Sequence, residues 1–154
     1  MLDDEIRFYF GGYAGGATGA DNLDGNSGIG VATLPRDRFA GIRPVERSDQ
    51  PTLKKPLEQI GQVTLKPIEI HKGDTIQINA DATGGGEVRV ELLDENGRRV
   101  RGFSRDDATP IIGDALRHPA SWAKSSLRNL PPGRYILRLH LNRATVFAVY
   151  VVST

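Results

Sequence analysis

The sequence predicts an all-β protein built as a two-sheet antiparallel β-sandwich, of the jelly-roll or concanavalin type. Short segments in which apolar and polar residues alternate recur along the chain, as in strands with one buried face. Turn-forming Gly, Pro, Asn and Asp residues separate these segments, and no long stretch has the period of an amphipathic helix. Many short strands with turns between them are typical of a sandwich.

The clearest single prediction is a β-hairpin in the segment GEVRVELLDENGRRVRGFS. Val88, Val90 and Leu92 alternate with charged residues, which predicts an inner face in the core and an outer face in water. The Asn96-Gly97 pair tolerates the positive φ angles of a two-residue type I′ turn. The chain is therefore expected to return as a strand over residues 98–101.

The same alternation predicts the remaining strands. In chain order they are Glu5 to Phe10, Ile29 to Leu34, Phe39 to Ile42, Gln62 to Lys66, Ile68 to Ile70, Thr75 to Ala82, Arg134 to Leu141 and Thr145 to Val152. The last is apolar on both sides, which predicts a central place in its sheet.

The segments between the strands set the predicted domain boundaries. We expect an N-terminal strand in residues 1–12, a glycine-rich loop in 13–28 and the sandwich in 29–154. Residues 43–61 are expected to form a polar excursion, and residues 104–129 irregular structure.

Composition narrows the class of protein. The chain has 154 residues, which suits one domain, and 20 basic against 19 acidic residues give a formal net charge of +1. This balance argues against a nucleic-acid partner, and no apolar run reaches membrane-spanning length. The absence of cysteine excludes disulfides and thiolate metal sites.

The start, MLDDEIRFYF, does not have the pattern of a signal peptide. The compartment is left open, and would be extracellular or periplasmic if the chain belongs to a longer secreted protein.

Catalytic motifs are incomplete in this sequence. Ile29 occupies the second glycine position that a nucleophile elbow around Ser27 would need. None of the three histidines has a partner at metal-ligand spacing. Asp106 and Asp107 are adjacent on one loop, so they do not face each other across a cleft as glycoside hydrolysis requires, and they are expected to form a turn or cap. We therefore predict no catalytic residue.

A calcium loop is faintly suggested by Asn22, Asp24 and Asn26, whose oxygen-bearing side chains stand on alternate residues. The EF-hand pattern fails because Ser27 replaces its glycine. Asx turns in a glycine-rich loop are the preferred interpretation. A looser calcium site at Asp21 and Asp24 stays open as an alternative, and no other cofactor is expected.

Two aromatic residues are candidates for stacking on a sugar ring. Tyr13 lies at the start of the glycine-rich loop, and Trp122 is the single tryptophan. Exposed rings of this kind hold carbohydrate in many binding sites. For Trp122 a core position is the favoured alternative.

Three stretches together resemble a known family. DEIRFYFGGY, from Asp4, resembles the last strand of the five-bladed β-propeller in family-32-like and family-43-like glycoside hydrolases and their sialidase-like relatives. GIGVATLPRDRF, from Gly28, resembles the segment by which those proteins enter a C-terminal β-sandwich. The run from Gly86 to Asp107, with Gly113-Asp114 and Ser121-Trp122, is similar to the body of that sandwich in uncharacterised bacterial members.

The resemblance implies an accessory role. In that family the catalytic carboxylates lie on earlier propeller blades, which this chain lacks, so no catalytic residue carries over. The sandwich there is chiefly a structural companion, with glycan binding or oligomer contacts in some members. The resemblance places ligand contacts in the glycine-rich loop and at the turns 36–38 and 105–107. With the two aromatic residues, the predicted binding set is Tyr13, Arg36, Arg38, Arg105, Asp107 and Trp122.

The predicted function is thus a non-catalytic accessory β-sandwich module that binds carbohydrate. One alternative is a structural domain that contacts a propeller domain or a second copy of the chain without binding sugar. A second alternative is a small glycoside hydrolase. Neither a nucleic-acid nor a membrane partner is expected.

Overall fold

Antiparallel β-strands form the regular structure of this computed structural model, which describes residues 4–13, 27–45 and 60–153. The strands are β1 Glu5–Tyr13, β2 Ser27–Pro35, β3 Ile60–Thr64, β4 Ile68–Ile70, β5 Thr75–Ala82, β6 Glu87–Asp94, β7 Gly113–Pro119, β8 Gly133–Asn142 and β9 Thr145–Val152. One turn of 3₁₀-helix covers Leu127–Asn129. The chain divides into two compact units, Met1–Arg38 and Phe39–Thr154. No helix of the described part has the length and apolarity needed to cross a bilayer.

The first unit contains a two-stranded hairpin. β1 and β2 pair from Glu5 opposite Pro35 to Tyr13 opposite Ser27. Both predicted strands are confirmed, and each is longer than the sequence pattern indicated. β2, which the sequence analysis placed in the sandwich, pairs with β1 within this unit. The loop predicted at 13–28 lies almost wholly outside the described residues.

The second unit contains a three-strand-wide sheet with β8 at its centre. β6 pairs with one edge of β8 over its whole length. β3 and then β4 pair with the other edge of β8. Pro67 stands between them, and because proline has no backbone N–H to donate, it interrupts the ladder along this edge.

The opposing sheet has the strand order β7-β5-β9. The register of β5 shifts around Asn79 and Ala80 on both of its edges, which marks a bulge. The inner faces of the two sheets supply one apolar core, which includes Ile76, Ala80, Val88, Val90, Leu92, Leu137, Leu139 and Leu141. The all-β sandwich predicted from the sequence is confirmed.

The turn of the predicted hairpin differs from the expected type I′. Only Gly97 has a positive φ, of 79°, and the Gly97 N–H donates to the Asp94 carbonyl at 2.9 Å. The Asp94 N–H in turn donates to the Arg98 carbonyl at 2.8 Å, so three residues form the loop. This is a type I turn closed by a glycine bulge, a common three-residue connection in β-hairpins. The return strand reduces to one bridge, Leu93 to Arg99.

The predicted central position of β9 is wrong, because β5 holds the centre of that sheet. The predicted strand 39–42 is present only as a bridge from Ile42 to Val146, at the outer edge of β9. A Cβ placed on Gly41 would lie 2.8 Å from the ring of Phe147, so the segment around Gly41 packs directly on β9. That contact explains why β9 is apolar on both sides without being central.

Residues 104–129 are less irregular than predicted, because they contain β7. The sequence of β7, GDALRHP, has no β-branched residue and no Phe, Tyr or Trp, and it ends in proline. Its extended form follows from pairing with β5, a case in which tertiary context decides strand formation.

Candidate functional site

A groove of about 540 Å³ lies in the second unit, where one end of β5 meets the segments that follow β7. Its lining comes from residues 72–77, 119–122 and 125–128. Ile76, Trp122 and Leu127 provide apolar surface, and hydroxyl and charged side chains provide the rest. This volume is typical of ligand sites, which combine an apolar surface with a few polar groups.

The turn 71–74 forms one wall of the groove, and Asp74 holds it in place. Asp74 is 3% exposed, and its Oδ2 accepts a hydrogen bond from the His71 amide at 2.8 Å. This hydrogen bond, one from the Ser153 side chain and the nearby imidazole hold the pKa of Asp74 below its usual value. Asp74 is therefore ionised at neutral pH and directed into the fold.

Trp122 lines the groove and is part of the apolar core. The indole Nε1 donates to the Val90 carbonyl at 2.8 Å, and the ring meets Phe103 edge-on at a centroid distance of 5.0 Å. Only 6% of Trp122 is exposed, which confirms the core alternative for this residue. With so little of the ring exposed, a sugar cannot stack on its face.

The 3₁₀ turn forms another part of the lining. Ser126 precedes it and accepts a hydrogen bond from the Arg128 amide at 3.3 Å. Leu127 packs into the core, which anchors the turn and leaves Arg128 exposed. This part of the lining thus presents a cationic side chain from a fixed backbone.

Basic side chains surround the groove. Lys72 and Arg128 line it and are exposed. Arg117 of β7 borders it, because its NH1 donates to the Oε1 of Gln77 at 3.4 Å, and its guanidinium lies 5.0 Å from the centre of the Tyr150 ring. Among the lining residues that the structure describes, Asp74 is the one acidic residue, and its carboxylate already accepts a hydrogen bond from the His71 amide.

Three of the sequence-predicted binding residues lie in one region. Asp107 Oδ2 accepts from the Ser104 hydroxyl at 2.6 Å and from the Ser104 amide at 3.2 Å, which confirms its expected role in a turn. These bonds, together with Lys124, hold the pKa of Asp107 below its usual value. The Ala123 amide donates to the Asp107 carbonyl at 2.9 Å, so this turn adjoins Trp122. Arg105 is exposed on the same turn.

The other predicted residues belong to the first unit. Arg36 lies in the turn that follows β2, and Arg38 lies just beyond it. Tyr13 ends β1. Asp21 and Asp24, the calcium alternative, lie outside the described residues. Within the described ranges, no group of three or more His, Cys, Asp or Glu side chains could hold a metal ion.

Sequence reasoning missed a buried ionic cluster around Glu91. Its side chain was expected in water on the outer face of β6, yet Glu91 is only 1% exposed. Oε2 lies 3.0 Å from His140 Nε2 and 3.6 Å from Arg138 NH1, both of which extend from β8. Arg99 Nε lies 3.2 Å from Oε1, but it is not aligned for a hydrogen bond, so Oε1 has an ion pair alone.

The register of the sheet brings this cluster together. Glu91 pairs with Arg138, and His140 pairs with Arg89 one step away on the same face. Alternation predicts that these residues share a face, but it does not predict which strands are neighbours. The cluster therefore could not be assembled from the sequence.

Comparison with known proteins adds no relative. The chain matches no family model, no curated protein and no solved structure.

Proposed function

We propose that this chain is a non-catalytic accessory β-sandwich module, and that it binds carbohydrate in the groove above Trp122. The observation that carries the proposal is the groove itself, with its apolar floor and polar rim. Sugars present hydroxyl groups around apolar C–H faces, and such a combination suits them. The resemblance of the sequence to the sandwich that accompanies glycoside hydrolases supports the same function.

The rim provides hydrogen-bonding groups of the required kind. Ser121, Ser125 and Thr75 each add a hydroxyl that can both donate and accept. Trp122 and Leu127 line the groove and are also part of the packed core, which holds their backbone segments in place. A groove formed in advance loses little conformational entropy on binding.

Affinity electrophoresis of the full chain against plant and microbial polysaccharides tests this proposal. We expect retardation by at least one polymer. The substitution Ser121→Trp, which fills the groove from an exposed rim position, should abolish it. Glu95→Trp at the hairpin turn is the matched control, because Glu95 is exposed and lies outside the groove lining, and it should leave the retardation unchanged.

The non-catalytic part has a separate test. Chromogenic glycosides incubated with the chain should release no more chromophore than with buffer. Hydrolysis that disappears in Asp107→Ala, while circular dichroism shows that the variant is folded, would support the small-hydrolase alternative and overturn this part of the proposal.

A second candidate function is protein contact through the β1–β2 hairpin. Tyr9, Phe10, Ile29 and Val31 are each more than half exposed. In the register Tyr9 lies opposite Val31 on one face, and Phe10 lies on the other. Such surfaces often mark interaction sites, and a two-stranded hairpin is marginally stable alone. Light scattering should then show a dimer that Tyr9→Lys dissociates, and a strict monomer at all concentrations would count against self-association.

A further inference from the structure

We infer that the groove selects acidic polysaccharides, those that carry carboxylate or sulfate groups. This inference rests on the proposed carbohydrate-binding function, and it names the class of ligand that the groove would take. It follows from how the charged side chains around the groove are engaged.

Lys72 and Arg128 both line the groove. They come from separate segments, the turn before β5 and the 3₁₀ turn, so the fold brings the two cations to one opening. Among the described residues, neither side chain forms an ion pair or hydrogen bond. Both side chains are exposed, so water solvates their charges in the free protein.

The acidic residue of the described lining does not neutralise them. Asp74 is 3% exposed and its carboxylate accepts from the His71 amide. Its charge is directed into the turn that it stabilises. Arg117, held beside the groove by Gln77, adds positive potential at the same end of β5.

An anionic group on a sugar could therefore bind to these two cations without first breaking an ion pair within the protein. Hydrogen bonds between charged partners are about twice as strong as those between neutral partners. A neutral sugar offers the same two cations only uncharged hydroxyl acceptors, so it gains less from them. The groove should accordingly prefer a uronate or sulfated chain over a neutral chain of the same length.

The test uses the full chain in affinity electrophoresis against polygalacturonate, a sulfated galactan and a neutral galactan. We expect both acidic polymers to retard the chain, and added NaCl to weaken the retardation because salt screens exposed charges. The variant Lys72→Ala/Arg128→Ala should bind at least about tenfold more weakly, the loss expected for one or two charged hydrogen bonds.

The matched control is Lys66→Ala/Arg98→Ala, which removes the same charge from exposed residues outside the groove lining. It should bind as the unmodified chain does. The charge-preserving variant Lys72→Arg/Arg128→Lys should keep most of the affinity, and circular dichroism verifies that all variants fold.

The outcomes separate the two proposals. Equal retardation by neutral and acidic galactans overturns the acidic preference and leaves the carbohydrate-binding proposal in place. Retardation by none of the polymers overturns both. Equal weakening in the control variant, or equally strong binding of a DNA duplex, shows general attraction to polyanions and overturns the assignment to this groove.

Discussion

Replacing Glu91 with Gln tests whether the buried ionic cluster stabilises the sandwich. The substitution keeps the shape of the side chain and removes its charge. His140, Arg138 and Arg99 would then lose the carboxylate that lies 3.0, 3.6 and 3.2 Å from their nitrogens. Removing one member of a buried ion pair destabilises a protein by about 3–5 kcal/mol when its partner stays buried.

The expected loss of stability is smaller than this, because the three basic partners of Glu91 are partly exposed to water. The side chain of Arg99 is 78% exposed and can return to water with little loss. The side chains of Arg138 and His140 are 26% and 19% exposed, so they are only partly rehydrated. We therefore expect Glu91→Gln to lower the free energy of unfolding by about 2–3 kcal/mol.

Glu87→Gln is the matched control. Glu87 lies on the same face of the same strand and pairs with Arg89 at 3.1 Å, but its side chain is 28% exposed. Such a pair contributes about 1 kcal/mol or less.

Urea unfolding followed by the fluorescence of Trp122 measures both variants. This residue is the single tryptophan, is buried, and is bonded to the strand that carries Glu91. If Glu91→Gln destabilises no more than Glu87→Gln does, the cluster is not stabilising and the reasoning from burial is refuted.

Three further predictions concern the core, the turn and pH. Trp122→Phe should lower the free energy of unfolding by about 1–3 kcal/mol, because the buried Val90 carbonyl loses its donor; urea unfolding followed by circular dichroism measures it, and an unchanged midpoint contradicts it. Gly97→Ala should lower the melting temperature through about 1 kcal/mol of strain at a φ of 79°; calorimetry should show less effect for Ala at Asn96. Asp74 and Asp107 have pKa values held below the usual 3.8, so the folded chain binds fewer protons than the unfolded chain in acid. The stability that these two carboxylates contribute is present above about pH 3.8 and is lost as the pH falls through their folded pKa values. The urea midpoint of Asp107→Asn should therefore fall less steeply in acid than that of the unmodified chain. An equally steep fall would contradict the lowered pKa of Asp107.

The strands that the sequence predicted well are those whose own residues determine their burial. β4, β5 and β9 have the predicted bounds, because alternating or continuous apolar residues cover their length. β7 was not predicted, because its pairing with β5 and not its composition makes it a strand.

The groove could not be predicted from the sequence. Its walls come from segments around residues 72, 120 and 127, which no sequence pattern brings together. Trp122, one of the predicted binding residues, is buried next to the groove, as the core alternative expected. Glu91 has the alternation of a solvent-facing residue, and only the three-dimensional arrangement shows that it is buried.

The central place of β8 has a consequence for how the chain folds during synthesis. β3, β4 and β6 all find their hydrogen-bonding partner in β8, which the ribosome makes only after residue 132. Until then β3 and β4 have no native neighbour in their sheet among the described strands, whereas β6 already has bridges from Leu93 to Arg99 and from Val88 to Ile111. Most of the sheet therefore forms late and through contacts distant in sequence. Strands that wait in this way expose unpaired edges, and a chain stopped before β8 should aggregate where the full chain folds.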